Sequence, residues 1–120
     1  MNTEEHAPPA PEFTEPTVVF LINRSWQEDF GAAEIYEATR GNWLISKKSR
    51  DAVRVALGVA HDVVRGAYFV DHWEPAEEEL GRWAFTGREH ESLAHFIGTS
   101  VRDQLGKNHS AFRLFLNPHS

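Results

Sequence analysis

The stretch Ile35 to Trp43, Ile-Tyr-Glu-Ala-Thr-Arg-Gly-Asn-Trp, restricts the fold more than any other part of the chain, because it stops a helix at a defined point beside an indole. Ala32, Ile35, Tyr36 and Thr39 recur at i, i+3, i+4 and i+7, which gives one apolar face and leaves Glu34, Glu37 and Arg40 off it. The spacing predicts a helix over 32–39. Gly41 is expected as the residue that ends it in the left-handed conformation, with Arg40 in the last turn, where a cation suits the helix dipole. Asn42 and Trp43 then lead into a β-rich remainder.

The strands announce themselves by residue type. Thr17 to Ile22, Thr-Val-Val-Phe-Leu-Ile, is a β-branched and apolar run of the kind that is buried on both faces. Val53 to Ala60 and Val63 to Trp73 form a hairpin about His61-Asp62, since Asp tolerates the positive φ of a tight turn. Strict alternation along the second run puts Val64, Gly66, Tyr68, Val70 and His72 on one face and Val63, Arg65, Ala67, Phe69, Asp71 and Trp73 on the other. Gly58 and Gly66 are expected bend points or places of close backbone approach. Arg82 to Thr86 and Phe112 to Leu116 are further strands, with short helices over 91–96 and 101–105, the latter capped by Ser100. This order predicts an α+β fold, a small partly closed β-barrel with one main helix and short C-terminal helices.

Composition limits the rest. A chain of 120 residues, 41% hydrophobic and 25% charged, builds one domain with one core. Residues 1–16 hold Pro8, Pro9, Pro11 and Pro16 among acids, a composition that predicts a disordered acidic tail before a single domain over 17–120. The net charge of −6 rules out a strongly basic domain, but Glu4, Glu5, Glu12 and Glu15 all lie in that tail, so the body is nearer neutral and has room for a local basic face. The absence of cysteine suits a reducing compartment, and no run reaches the roughly 18 apolar residues of a membrane span. A cytoplasmic protein without a membrane partner is the expectation.

Several motifs carry a resemblance. Ile22-Asn23-Arg24, the Tyr36 to Trp43 segment, the basic run that follows it and Ala56 to Trp73 resemble a family of small uncharacterised prokaryotic proteins. Gly81 to Gly87 (Gly-Arg-Trp-Ala-Phe-Thr-Gly) and Phe96 to Val101 (Phe-Ile-Gly-Thr-Ser-Val) resemble its second half. The family looks PUA-like, the group of barrels that includes EVE, YTH and ASCH domains, and the likeness covers residues 17–116. In one place the chain departs from it: relatives finish with a glycine turn and Asn-Pro before the last strand, whereas Gly106 to Phe112 contains no proline. The resemblance implies a nucleic-acid-binding barrel, some relatives of which hold a flipped or modified base in an aromatic cage.

The residues allow such chemistry. A flipped base needs π-faces, hydrogen-bonding groups for its Watson–Crick edge, and cations for its phosphates. Trp26 and Trp43 flank the main helix at loop boundaries and are the expected pocket aromatics, whereas Trp73 and Trp83 lie on strand patterns and are expected in the core. Asn23, Asn42 and Ser46 are the expected base-edge contacts. Arg24, Lys47, Lys48 and Arg50 are the expected phosphate contacts, the last three from a basic loop.

The same residue types argue against metal and catalysis. His90 and His95 are five apart and so on different helix faces, and the adjacent pairs His61-Asp62 and Asp71-His72 point to opposite sides of a strand. No nucleophile elbow, phosphate-cradling glycine loop or paired carboxylate motif occurs. No cofactor, metal or catalytic residue is therefore expected. The leading expectation is a non-catalytic module for DNA or RNA. The alternatives are a protein-interaction module and, by analogy with ASCH-type relatives, a small hydrolase acting on a nucleoside-like substrate.

Overall fold

The computed structural model describes residues 7–77, 79–107 and 110–116. Its strands are β1 (Thr17–Leu21), β2 (Val55–Ala60), β3 (Val63–Pro75), β4 (Trp83–Arg88) and β5 (Phe112–Phe115). Helices α1 (Ala32–Arg40) and α2 (Lys47–Ala52) connect β1 to β2; a 3-10 helix (Glu91–Phe96) and α3 (Arg102–Leu105) precede β5. One mixed sheet has the order β4-β3-β2-β1-β5, with β1 and β2 parallel and every other pair antiparallel. The sheet is open, with β4 and β5 as its edges. Among the described residues no helix is long and apolar enough to cross a membrane.

The central strands β1 and β2 are buried on both faces, as their continuous apolar runs require. Val19, Val55, Leu57 and Val59 face a layer formed by the 3-10 helix, α3 and Phe13. Val18, Phe20 and Ala56 face a second layer with Tyr68, Phe85, Tyr36 and Trp43. In that layer the rings of Phe20 on β1 and Phe85 on β4 stack with centroids 6.1 Å apart. Three strand spacings of a flat sheet would separate them by about 14 Å, so the sheet is strongly curled around this aromatic layer.

The curl is helped by two bulges in β3. The register shifts between Gly58 and Val59 opposite Gly66 and Val64, leaving Arg65 as the extra residue, and it shifts again between Val70 and His72, leaving Asp71 extra. Each extra residue reverses the alternation. Val64 therefore lies with Ala67 and Phe69 in one layer, and Val70 lies with Trp73 in the other, which corrects the strict faces expected from the sequence. The His61-Asp62 turn is as expected: both residues have positive φ, 54° and 68°, as a two-residue hairpin of the primed type requires.

Helix α1 packs closely because Gly58 lets it. A Cβ at Gly58 would overlap the hydroxyl of Thr39 and lie 3.1 Å from its two carbons. Thr39 is fully buried, its hydroxyl satisfied by donation to the Ile35 carbonyl at 2.7 Å. Ile35 and Tyr36 are half-buried, so the apolar face is narrower than its pattern.

Three local expectations are corrected. Gly41 is extended (φ −115°, ψ 151°), and the left-handed residue is Asn42 at φ 70°, a conformation that asparagine tolerates. The basic run Lys47 to Arg50 forms α2 instead of a loop, because Ser46 caps it by accepting from the Ser49 N–H at 3.2 Å. The tail expected over 1–16 is ordered where it is described. Phe13 is 6% exposed against Phe96 and Phe115, while Ser100 accepts from the Ala10 N–H at 2.8 Å and donates its own N–H to Pro8 at 2.7 Å. Prolines there do not prevent order, because one large ring and a short backbone pairing anchor the segment. Residues 1–6 of the expected tail lie outside the described residues.

Candidate functional site

A cleft of about 730 Å³ opens where β1 ends, between the last turns of α1 and the approach to β5. Its walls are Leu21 to Ser25, Glu37, Ala38, Gly41 to Trp43, Ser110 and Ala111. The chain turns sharply after β1, with Ser25 and Trp26 both donating to the Ile22 carbonyl, at 3.2 and 2.9 Å. Asn23 is fastened across the gap to the β2–β3 turn, its Oδ1 accepting from the His61 N–H at 2.7 Å. That bond leaves the amide NH₂ of Asn23 as a donor. Ser110 and Ala111 come in through the pairing of Leu21 with Ala111, whose carbonyl accepts at 2.9 Å.

Trp43 forms the aromatic wall. Its ring stacks on Phe20 at 4.3 Å and 16°, meets Phe112 edge-on at 6.2 Å, and donates from Nε1 to the Thr39 carbonyl at 2.9 Å. Its backbone exchanges two 2.9 Å hydrogen bonds with Trp83. The ring is thus half-buried and held from three sides. Asn42 beside it holds its left-handed turn, and its carbonyl accepts from Arg82 at 3.2 Å.

Of the residues expected at a base site, the cleft gathers Asn23, Arg24, Asn42 and Trp43. The others do not line it. Trp26 packs against the Arg65 guanidinium at 4.1 Å and edge-on to His61 at 5.7 Å. Ser46 is spent on capping α2. Lys47 pairs with Asp51 at 2.8 Å one helical turn on, and Lys48 is exposed on the same helix. Arg50 lies 3.7 Å over the Trp83 ring and donates to the Ile45 carbonyl at 2.7 Å. A cage of two facing indoles is therefore not formed, and the cation at the cleft is Arg24, which makes no ion pair among the described residues.

The charge on the opposite wall is negative. Glu37 lines the cleft and also a neighbouring groove of about 310 Å³ with Arg40, Glu74 and Glu77. Arg40 bonds Glu74 at 2.9 Å and lies 3.8 Å from Glu37. Partial burial alone would lower the pKa of Arg40; Glu74 first and Glu37 next more than offset that, so it is raised and the charge is permanent. Ser25, Glu37, Ala38, Ser110 and Ala111 were not signalled by the sequence, since only the fold brings them beside Trp43. Among the described residues, no three His, Cys, Asp or Glu side chains converge as a metal site would need.

Among the described residues the cleft thus offers one aromatic wall, amide and hydroxyl groups, and one cation against one carboxylate, an arrangement suited to binding. No family model, curated protein or solved structure matches the chain.

Proposed function

We propose that the protein is a non-catalytic nucleic-acid-binding module that seats one nucleotide unit in the cleft between β1, α1 and β5. The observation that carries this reading is the convergence of Asn23, Arg24, Asn42 and Trp43 on a cleft whose roughly 730 Å³ lies within the usual range for ligand sites. Trp43 would stack the base, the amides of Asn23 and Asn42 would read its polar edge, and Arg24 would meet a phosphate. The curl that stacks Phe20 on Phe85, and the bridge from Trp43 to the β4 edge, support reading the sheet as a PUA-like partly closed barrel.

The test is the binding of short single-stranded DNA and RNA at several salt concentrations, followed by tryptophan fluorescence. Arg24→Ala is expected to weaken binding and to reduce the slope of log K against log salt by about 0.7, the share of one single-strand phosphate. Asn42→Gly, which keeps the left-handed backbone and deletes the amide, should weaken binding with the slope unchanged. Lys47→Ala with Lys48→Ala should leave binding as it is. Absence of salt-dependent binding by the wild-type chain, or a slope carried by Lys47 and Lys48 instead of Arg24, overturns the proposal.

A further inference from the structure

The cleft and the acidic groove share a wall but differ in charge balance: the cleft sets Arg24 against Glu37, whereas the groove is net acidic. Glu37, Gly41 and Asn42 line both. On the β1 side stands Arg24; beyond the shared wall, among the described residues, the guanidinium of Arg40 faces the three carboxylates of Glu37, Glu74 and Glu77. The other arginine nearby, Arg82, donates to the Asn42 carbonyl and has its charge paired with Glu79. Glu37 and Glu77 are both exposed, so their charges reach whatever leaves the cleft in that direction. A nucleotide with its phosphate at Arg24 is accommodated. A strand continuing past the base over Glu37 would carry its next phosphates into an acidic groove, where like charges repel.

Resting on the nucleotide-binding reading above, we infer that the site selects a strand terminus or a free mononucleotide over an internal nucleotide, with the groove carboxylates of Glu37 and Glu77 as the element that refuses a through-running backbone. Both carboxylates act on the strand by repulsion of its phosphates.

The experiment compares a short linear single strand bearing a terminal phosphate with the same strand ligated into a circle, using the full wild-type chain. The linear strand should bind about tenfold more tightly, the scale of one repelled charge at a partly screened surface, and the number of proteins bound per linear strand should stay fixed as the strand lengthens. Glu37→Gln with Glu77→Gln, checked for folding by its thermal transition, should bring the circle close to the linear strand. Equal binding of circle and linear strand by the wild-type chain overturns the inference and leaves the nucleic-acid reading standing. So does a preference for ends that the double variant leaves intact. Binding of neither strand, nor of mononucleotides, removes the nucleic-acid reading and this inference with it.

Discussion

Arg40 donates from Nε to the carbonyl oxygen of Phe85 at 2.9 Å, so a side chain of α1 occupies a position on the β4 edge that a neighbouring strand would otherwise fill. The same edge is met at two further residues. Trp83 pairs with the backbone of Trp43, and the Gly87 N–H donates to the Tyr36 hydroxyl at 3.0 Å. Helix α1 and its exit thus satisfy outer groups at Trp83, Phe85 and Gly87, which blunts this edge strand against recruiting another chain.

Arg40→Met keeps the apolar stem and removes the donors. It should cost about 1.5–3 kcal/mol, the usual worth of a hydrogen bond to a charged group, in urea-unfolding midpoints. It should also produce concentration-dependent association in sedimentation velocity, because the Phe85 carbonyl is left free on an edge. A variant that is destabilised yet stays monomeric at every concentration would show that the edge needs no such protection.

Phe13 tests the N-terminal segment. Composition alone predicts that residues before Pro16 contribute nothing to stability, but Phe13 fills the layer between Phe96 and Phe115. Phe13→Ala should therefore cost about 3–5 kcal/mol, as large-to-small core changes do. A thermal transition unmoved by this substitution would return the segment to the status of a tail.

Gly58→Ala should cost about 1–3 kcal/mol by overpacking α1 against β2. Thr39→Ala deletes the hydroxyl and methyl that the new Cβ would strike, so the double variant should recover part of the loss in a thermodynamic cycle. Strict additivity of the two single changes would mean that the helix shifts as a body and the contact is not specific.

How much of this was legible before the structure depended on how local the signal was. The runs of β1 and β5, the period of α1 and the His61-Asp62 turn are written in consecutive residues, and each forms where its pattern places it. The faces of β3 were not legible, because the bulges at Arg65 and Asp71 arise from pairing with β2 and β4 and leave no mark in the alternation itself. The site shows the same division. Asn23, Arg24, Asn42 and Trp43 sit beside the two chain exits that form the cleft, whereas Trp26 and Arg50 are drawn away by Arg65 and Trp83, partners far along the chain.

Tyr68 links burial to pH. Its hydroxyl is buried and finds no hydrogen-bond partner among the described residues; burial, with Glu89 and then Tyr36 adding to it, pushes its pKa above the ordinary tyrosine value. A group whose folded pKa is raised contributes stability that is full below its unfolded value, near 10, and is lost as pH rises beyond it towards the folded value. Tyr68→Phe should gain about 1 kcal/mol at neutral pH by removing an unsatisfied buried hydroxyl. It should also fall less steeply than the wild type above pH of about 10. Parallel stability curves for the two proteins across that range would show that the hydroxyl is solvated in both states.

Trp43 has both a packing role and a proposed binding role, and two substitutions separate them. Trp43→Phe keeps a ring to stack on Phe20 and loses the Nε1 donation to Thr39, so it should cost about 1 kcal/mol of stability. Most of its nucleotide binding should remain. Trp43→Ala removes the ring as well and should destabilise by about 3 kcal/mol, so its binding has to be measured at low temperature and expressed per folded molecule. On that basis it should lose about 1–3 kcal/mol of oligonucleotide affinity, the worth of one base stacked on an aromatic ring. That loss should be insensitive to salt, since stacking releases no counterions. Undiminished binding by the folded fraction of Trp43→Ala would make the indole a core residue alone, and the cleft would lose the wall on which the nucleotide reading depends.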